Sequence, residues 1–198
     1  GAPTGRLFFT SGATEGIQTG VLSALTAARH HTHQGERRWL LYGATEHKAV
    51  PQALAHWNQL LQLNAELKAI PVDNHGKLDL DFIAAHVGAA HMICTMAVNN
   101  ETGVRQNLRA HNPTVPWMVD CVQALGKQQL ALAETTIDYA PFSGHKLYAP
   151  KGIGFMYVRD NAPFTPLIIG GGQELGQRSG TENLPGIAAL HALFELLL

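Results

Sequence analysis

Met92-Ile93-Cys94-Thr95-Met96-Ala97-Val98 runs directly into Asn99-Asn100-Glu101-Thr102-Gly103, and this junction decides the fold. The first part reads as a strand with no polar face, the pattern of a strand covered on both sides. The second part gathers polar groups at that strand's carboxyl end. Working outward, residues 80–87 read as a short helix leading into the strand, and 73–76, Asp-Asn-His-Gly, as a turn. Residues 67–72, 39–42 and 6–10 read as further strands. Between them lie two helices. Residues 48–63 carry Val50, Leu54, Trp57 and Leu61 inward, with Pro51 tolerated in the first turn, and residues 15–28 carry Ile17, Val21, Leu25 and Ala28 on one face.

Downstream, Asn112-Pro113 and Pro116 break any helix before the short strand 117–120. Residues 138–142 form another strand, and 153–159 a hairpin-like return. Strands alternating with helices of about 10–15 residues give an α/β fold, here a three-layer α/β/α sandwich around a mostly parallel mixed sheet. Ligands in such sheets bind outside the carboxyl ends of the strands, where the polar clusters of this chain fall.

Composition narrows the classes. The 198 residues suit one α/β domain, and 45% hydrophobic content supplies a core. A formal charge of −1 carries no polyelectrolyte signal, so neither nucleic acid nor an acidic membrane is expected as partner. The two cysteines, Cys94 and Cys121, are too few for a disulfide framework, which suits a reducing compartment. With no bilayer-length apolar run and no basic-then-apolar leader, the expectation is a cytoplasmic protein. Ile187, Leu190, Phe194 and Leu197 keep helical rhythm up to the last residue without a stop signal, so a piece of a longer protein is expected.

Several polar clusters could carry chemistry. Thr10-Ser11-Gly12-Ala13-Thr14-Glu15 joins a strand to a helix. Its N–H groups and the Thr14 hydroxyl suit an anion, although ordinary helix capping uses the same residues. It matches neither the P-loop nor the dinucleotide fingerprint. His47, in Glu46-His47-Lys48, suits stacking on a flat ligand or proton transfer, or simply faces solvent. Asn99 and Asn100 suit recognition of oxygen atoms, or a tight turn. Asp120 ends a buried strand, where a carboxylate is costly unless it meets a cation; it also fits as the cap of the next turn. Lys146 stands on a glycine-flanked turn in Ser143-Gly144-His145-Lys146, with Lys48 and Lys151 as rivals, Lys151 looking more like a loop position that shields a site. The stretch 170–183 is too rich in glycine and polar residues for a core, and long for an idle connection. His30-His31-Thr32-His33 lacks acidic or cysteine companions, so no metal is expected.

Taken in order, these clusters resemble the cysteine desulfurase family of class V aminotransferases. The strings are Phe9-Thr10-Ser11-Gly12-Ala13-Thr14-Glu15, Thr45-Glu46-His47-Lys48-Ala49-Val50, Val98-Asn99-Asn100-Glu101-Thr102-Gly103-Val104 and Val119-Asp120-Cys121-Val122-Gln123. They continue with Ser143-Gly144-His145-Lys146-Leu147-Tyr148-Ala149-Pro150-Lys151-Gly152-Ile153-Gly154, Gly170-Gly171-Gly172-Gln173 and Arg178-Ser179-Gly180-Thr181. The resemblance implies the large domain of a fold-type I pyridoxal-phosphate enzyme over residues 1–198, without its small domain, acting on L-cysteine to give L-alanine and an enzyme persulfide.

By the same resemblance, Lys146 would hold pyridoxal 5′-phosphate as a Schiff base and move protons at the substrate carbon. Asp120 would pair with the pyridine nitrogen, and Gln123 would bond the phenolic oxygen. His47 would stack on the ring, with Asn99 beside it. Thr14, Ser143, His145 and the amide of Ala13 would hold the phosphate. Thr181 would reach the cofactor of a neighbouring subunit, implying a homodimer; a sulfur-acceptor protein would be a further partner.

Three departures accompany it. Neither Cys94 nor Cys121 matches the family's substrate-attacking cysteine, and the family's arginine for the substrate carboxylate has no counterpart. The segment 106–116 is shorter than usual, its helix missing or eroded. Another class V activity, selenocysteine lyase or a transaminase, and an inactive domain with an assembly role are the alternatives.

Overall fold

The computed structural model describes residues 5–31, 39–110 and 113–197. Seven strands, β1 (Gly5–Thr10), β2 (Trp39–Gly43), β3 (Glu66–Ile70), β4 (Ala90–Met96), β5 (Trp117–Asp120), β6 (Tyr139–Ser143) and β7 (Gly154–Arg159), form one sheet. Its order is β1-β7-β6-β5-β4-β2-β3. The strands from β6 to β3 are parallel, and β7 runs antiparallel to both β6 and β1. Every strand but β7 therefore points its carboxyl end to the same edge.

The helices are α1 (Ala13–His31), α2 (Ala49–Leu60), α3 (Leu80–His86) and α4 (Leu184–Leu197). Successive strand residues feed opposite faces, as the period of two requires. Leu40, Met92 and Met118 pack on one side with Ile17, Val21 and Leu25 of α1 and Val50 and Leu54 of α2. Their neighbours Leu41, Ile93 and Val119 pack on the other side with Ile83 of α3 and Leu190 of α4. This two-sided burial is why β4 has no polar face. Each fully buried Leu or Ile contributes about 1.5–3 kcal/mol relative to exposure.

Several boundaries differ from the pattern-based reading. Helix α1 begins at Ala13, so the polar turn before it is tighter than expected. Helix α2 ends at Leu60, because Gln62 and Asn64 take left-handed backbone conformations and the Asn58 amide brackets Ala65, donating to its carbonyl at 2.8 Å and accepting its N–H at 3.1 Å. Strand β4 stops at Met96, and Val98 instead bridges Arg105 across the following turn. Between 106 and 116 the described residues hold only a 3₁₀ turn, Leu108–Ala110, in line with the missing helix. The return after β6 is a true hairpin partner, as expected, and it also pairs with β1.

The crossing of β7 under the β1–α1 turn is close. A Cβ on Gly154 would lie 2.4 Å from the Phe142 carbonyl oxygen and 2.7 Å from the Cα of Gly12, both backbone atoms that cannot step aside. Gly154→Ala is expected to lower the urea-unfolding stability by about 1–3 kcal/mol through overpacking. Gly88→Ala, where an added Cβ meets nothing within 4 Å, should not lower it.

Candidate functional site

The loops leaving β1, β2, β4, β5 and β6 converge at the common carboxyl edge around a cleft of about 660 Å³. The β1–α1 turn supplies one wall. The Thr10 hydroxyl donates to the Gly12 carbonyl at 3.1 Å, and the Glu15 carboxylate accepts the Ser11 N–H at 2.8 Å, so capping does operate here. It leaves the N–H groups of Ala13 and Thr14 and the Thr14 hydroxyl without an acceptor among the described residues, at the positive end of α1. Gly12 lies against β6, where a Cβ would sit 3.4 Å from the Ser143 hydroxyl.

Across the cleft, β6 ends at Ser143 and turns into a single 3₁₀ turn, Gly144–Leu147, that presents His145 and Lys146. The Ser143 hydroxyl and His145 Nδ1 lie 3.0 Å apart. Partial burial, helped by the charges of Lys146 and Lys151, depresses the His145 pKa, so its ring is neutral near pH 7. Lys151 lines the same cleft, as a shielding loop position should.

Asp120 forms the floor. It is 8% exposed, and its Oδ1 accepts the Val122 N–H at 3.0 Å, while Oδ2 has no hydrogen-bond partner among the described residues. Burial raises its pKa, opposed by the Val122 bond and by His47. A cation or a ring N–H in the cleft would complete its bonding. Gln123 also lines the cleft, and Lys127 donates to its Oε1 at 2.5 Å, which leaves the amide NH₂ available. His47 accepts the Ala49 N–H on Nδ1 at 3.2 Å, which fixes its ring while it helps to start α2.

Two expected residues sit elsewhere. Asn99 does not line the cleft: its NH₂ donates to Thr45 O at 2.9 Å, and its oxygen accepts the N–H groups of Glu101 and Thr102, both at 2.9 Å. Its neighbours Asn100 and Glu101 face the cleft instead. Thr181 lines a separate shallow depression beside Gly152 and Arg178. The glycine-rich stretch that carries it is pinned to the β1–α1 corner, through Glu174 accepting the Phe9 N–H at 3.0 Å and through an Arg178–Glu15 ion pair.

One group was passed over in the sequence. Glu46 carries a buried carboxyl whose Oε2 has no hydrogen-bond partner among the described residues. Burial pushes its pKa well above the carboxylate range and the charge of Asp120 adds to this, against a bond from the Met96 N–H. The residue stands in the Glu46-His47 string, but nothing local shows that its side chain turns inward. Cys94 and Cys121 are also buried, and burial together with Glu46 beside the first and Asp120 beside the second pushes both thiols well above their usual pKa. Thr32 and His33 of the histidine run lie outside the described residues; among the described residues no cluster could hold a metal ion, and no helix is long and apolar enough to cross a membrane.

A family model described as aminotransferase class-V matches residues 1–198. Cysteine desulfurase 2 of Trichormus variabilis (strain ATCC 29413 / PCC 7937) is 40% identical over 202 residues, covering 99% of this chain and 48% of that protein. The cysteine desulfurase of Cereibacter sphaeroides is 38% identical over 97% of this chain and 49% of its own. Among solved structures, a NifS-like protein superposes with a TM-score of 0.86 at 34% identity, over 97% of this chain and 53% of its own. SspA in complex with cysteine superposes at 0.81 with 31% identity, over 96% and 55%. The chain thus spans about half the length of the curated relatives it matches.

The buried groups make two outcomes testable. A carboxyl whose folded pKa is raised stabilises fully below its unfolded pKa, and that contribution is lost as pH rises through the folded value. Between about pH 5 and pH 8 the protein should therefore lose more unfolding free energy than its Glu46→Gln variant, as urea midpoints will show; equal losses would mean that Glu46 is not held protonated. Cys94 and Cys121 should react with a thiol reagent only after denaturant is added.

Proposed function

Because this chain belongs to the class-V aminotransferase family, we propose that it forms the pyridoxal 5′-phosphate-binding large domain of a cysteine desulfurase, which takes sulfur from L-cysteine and leaves L-alanine. The observation that carries this reading is the half-satisfied carboxylate of Asp120, buried in the floor of a cleft that has an anion-ready helix start on one wall and a lysine on the other. A flat cofactor with a basic ring nitrogen, an aldehyde and a phosphate matches those groups in kind. When bound, it supplies an electron sink for bonds at the substrate's α carbon.

The residues divide that work. Lys146 is the amine that attaches the cofactor and holds or returns the proton at the substrate carbon. Asp120 would accept a hydrogen bond from the protonated ring nitrogen and keep that nitrogen cationic, and the free NH₂ of Gln123 would donate to the phenolic oxygen. His47 covers one ring face with its Nδ1 fixed by Ala49. The N–H groups of Ala13 and Thr14, with the hydroxyls of Thr14 and Ser143 and the neutral His145, take the phosphate. Asn99 acts at one remove, tying the Thr45 and Glu101 loops together on that side of the cleft.

The resting state of Cys94 and Cys121 argues against either as the sulfur carrier, so a different thiol accepts the sulfur before an acceptor protein receives it. A homodimer fits the exposed apolar side chains of Tyr148, just after the Lys146 turn, and of Leu175 in the glycine-rich stretch, 96% and 95% exposed, and it fits Thr181 lining a depression other than the cleft. The two free cysteines suit a reducing setting such as the cytoplasm.

The purified holoenzyme should show the visible absorbance of lysine-bound cofactor and form alanine from L-cysteine. Borohydride reduction and peptide mapping should place the label on Lys146. Lys146→Ala should lose label and activity together; a variant that keeps both refutes the assignment. Asp120→Ala should still be labelled at Lys146, with kcat lower by about 10²-fold or more.

A further inference from the structure

Arg178 and Glu15, 163 residues apart, form a two-point ion pair: Nε donates to Oε1 at 2.9 Å and Nη2 to Oε2 at 3.3 Å. The side chains are 22% and 8% exposed. Planar bidentate pairing of this kind fixes orientation as well as charge. Burial alone would raise the Glu15 pKa, but the bonds from Arg178 and Ser11 and the Arg178 charge outweigh it, and the carboxyl is held below its ordinary value. Glu15 is therefore an anion at neutral pH.

Its position makes that charge a problem. Glu15 lies in the first turn of α1 and lines the same cleft as the unbonded N–H groups of Ala13 and Thr14. It is needed there, because its Oε2 holds the Ser11 N–H and so shapes the turn. A bare carboxylate in that turn would repel any second anion drawn to the helix start, and in a partly buried site the repulsion is screened little. Arg178 cancels it. The arginine is delivered by a braced segment: the Ser179 N–H donates to Ile168 O at 3.0 Å, Gln173 accepts the Gly180 N–H at 2.9 Å, and Glu174 is tied to Phe9 of β1.

We infer that Arg178 is a positioning residue that makes the start of α1 selective for a dianionic phosphate, by neutralising Glu15 and fixing the Ser11–Thr14 turn that Glu15 shapes. The inference rests on the reading of this cleft as a pyridoxal-phosphate site, and it assigns to the glycine-rich stretch a task inside its own protomer.

The test compares equilibrium binding of pyridoxal 5′-phosphate and of pyridoxal, the same aldehyde without the phosphate, to cofactor-stripped protein. Arg178→Gln should weaken pyridoxal phosphate by about tenfold and pyridoxal by less than about twofold, as expected for about 1.4 kcal/mol of phosphate-specific energy. Glu15→Gln, which keeps a side-chain acceptor for Ser11 and removes the charge, should not weaken pyridoxal phosphate. The double variant should recover to within about threefold of the parent. Arg178→Lys should fall between parent and Gln, since it keeps the charge and loses the fork. Equal loss of both ligands in Arg178→Gln, or no rescue in the double variant, overturns the inference and leaves a purely structural pair. If the parent itself binds both ligands equally, the phosphate site is wrong, and that failure is distinct from the first.

Discussion

Burial of β4 and β5 on both faces is the constraint from which the rest follows. Leu40 and Leu41 of neighbouring β2, Met92 and Ile93, and Met118 and Val119 send alternate side chains into two separate apolar clusters, so neither face of these central strands has room for a charged group. Polar chemistry is pushed to the strand ends, and because β7 alone runs against the others, one edge collects nearly all of it. The cleft is thus a consequence of strand direction and of what the interior refuses.

Three carboxylates at that edge meet the cost of burial in different ways. Asp120 keeps one oxygen turned to the cleft, where a ligand can bond it. Glu46, enclosed behind it, holds its proton and binds the Met96 N–H where β2 has already ended at Gly43. Glu15 stays ionised because Arg178 comes to it from the far end of the chain. The three solutions are coupled through the anion-binding turn and the β4–β5 edge. Burial that disfavours charge on Glu46 spares Asp120 a second anion beside it, and a neutralised Glu15 leaves the start of α1 positive.

Most of the fold was legible because it rests on local periodicity. The alternating strands and helices, the return of β7 and the weak stretch before Trp117 all appear in short windows of sequence. The ends of α2 and β4 were not, since they depend on left-handed backbone at Gln62 and Asn64 and on a bridge between Val98 and Arg105. The cleft was legible as a set of strings, and eight of the residues picked out, Ala13, Thr14, His47, Asp120, Gln123, Ser143, His145 and Lys146, line it. What stayed hidden was the direction of individual side chains. Asn99 spends its amide between its own loop and Thr45, Glu46 turns inward, and Arg178 crosses to Glu15. Each of these is set by tertiary contacts that no spacing rule encodes.

The central claim is that the sheet edge holds pyridoxal phosphate between the start of α1 and Asp120, with Lys146 as its attachment point. A crystal structure of the holoprotein tests it directly. The account predicts the phosphate on the N–H groups of Ala13 and Thr14, the ring nitrogen within hydrogen-bonding distance of Asp120 and continuous density to Lys146. A cofactor bound elsewhere, or one in this cleft with its ring nitrogen away from Asp120, would contradict it.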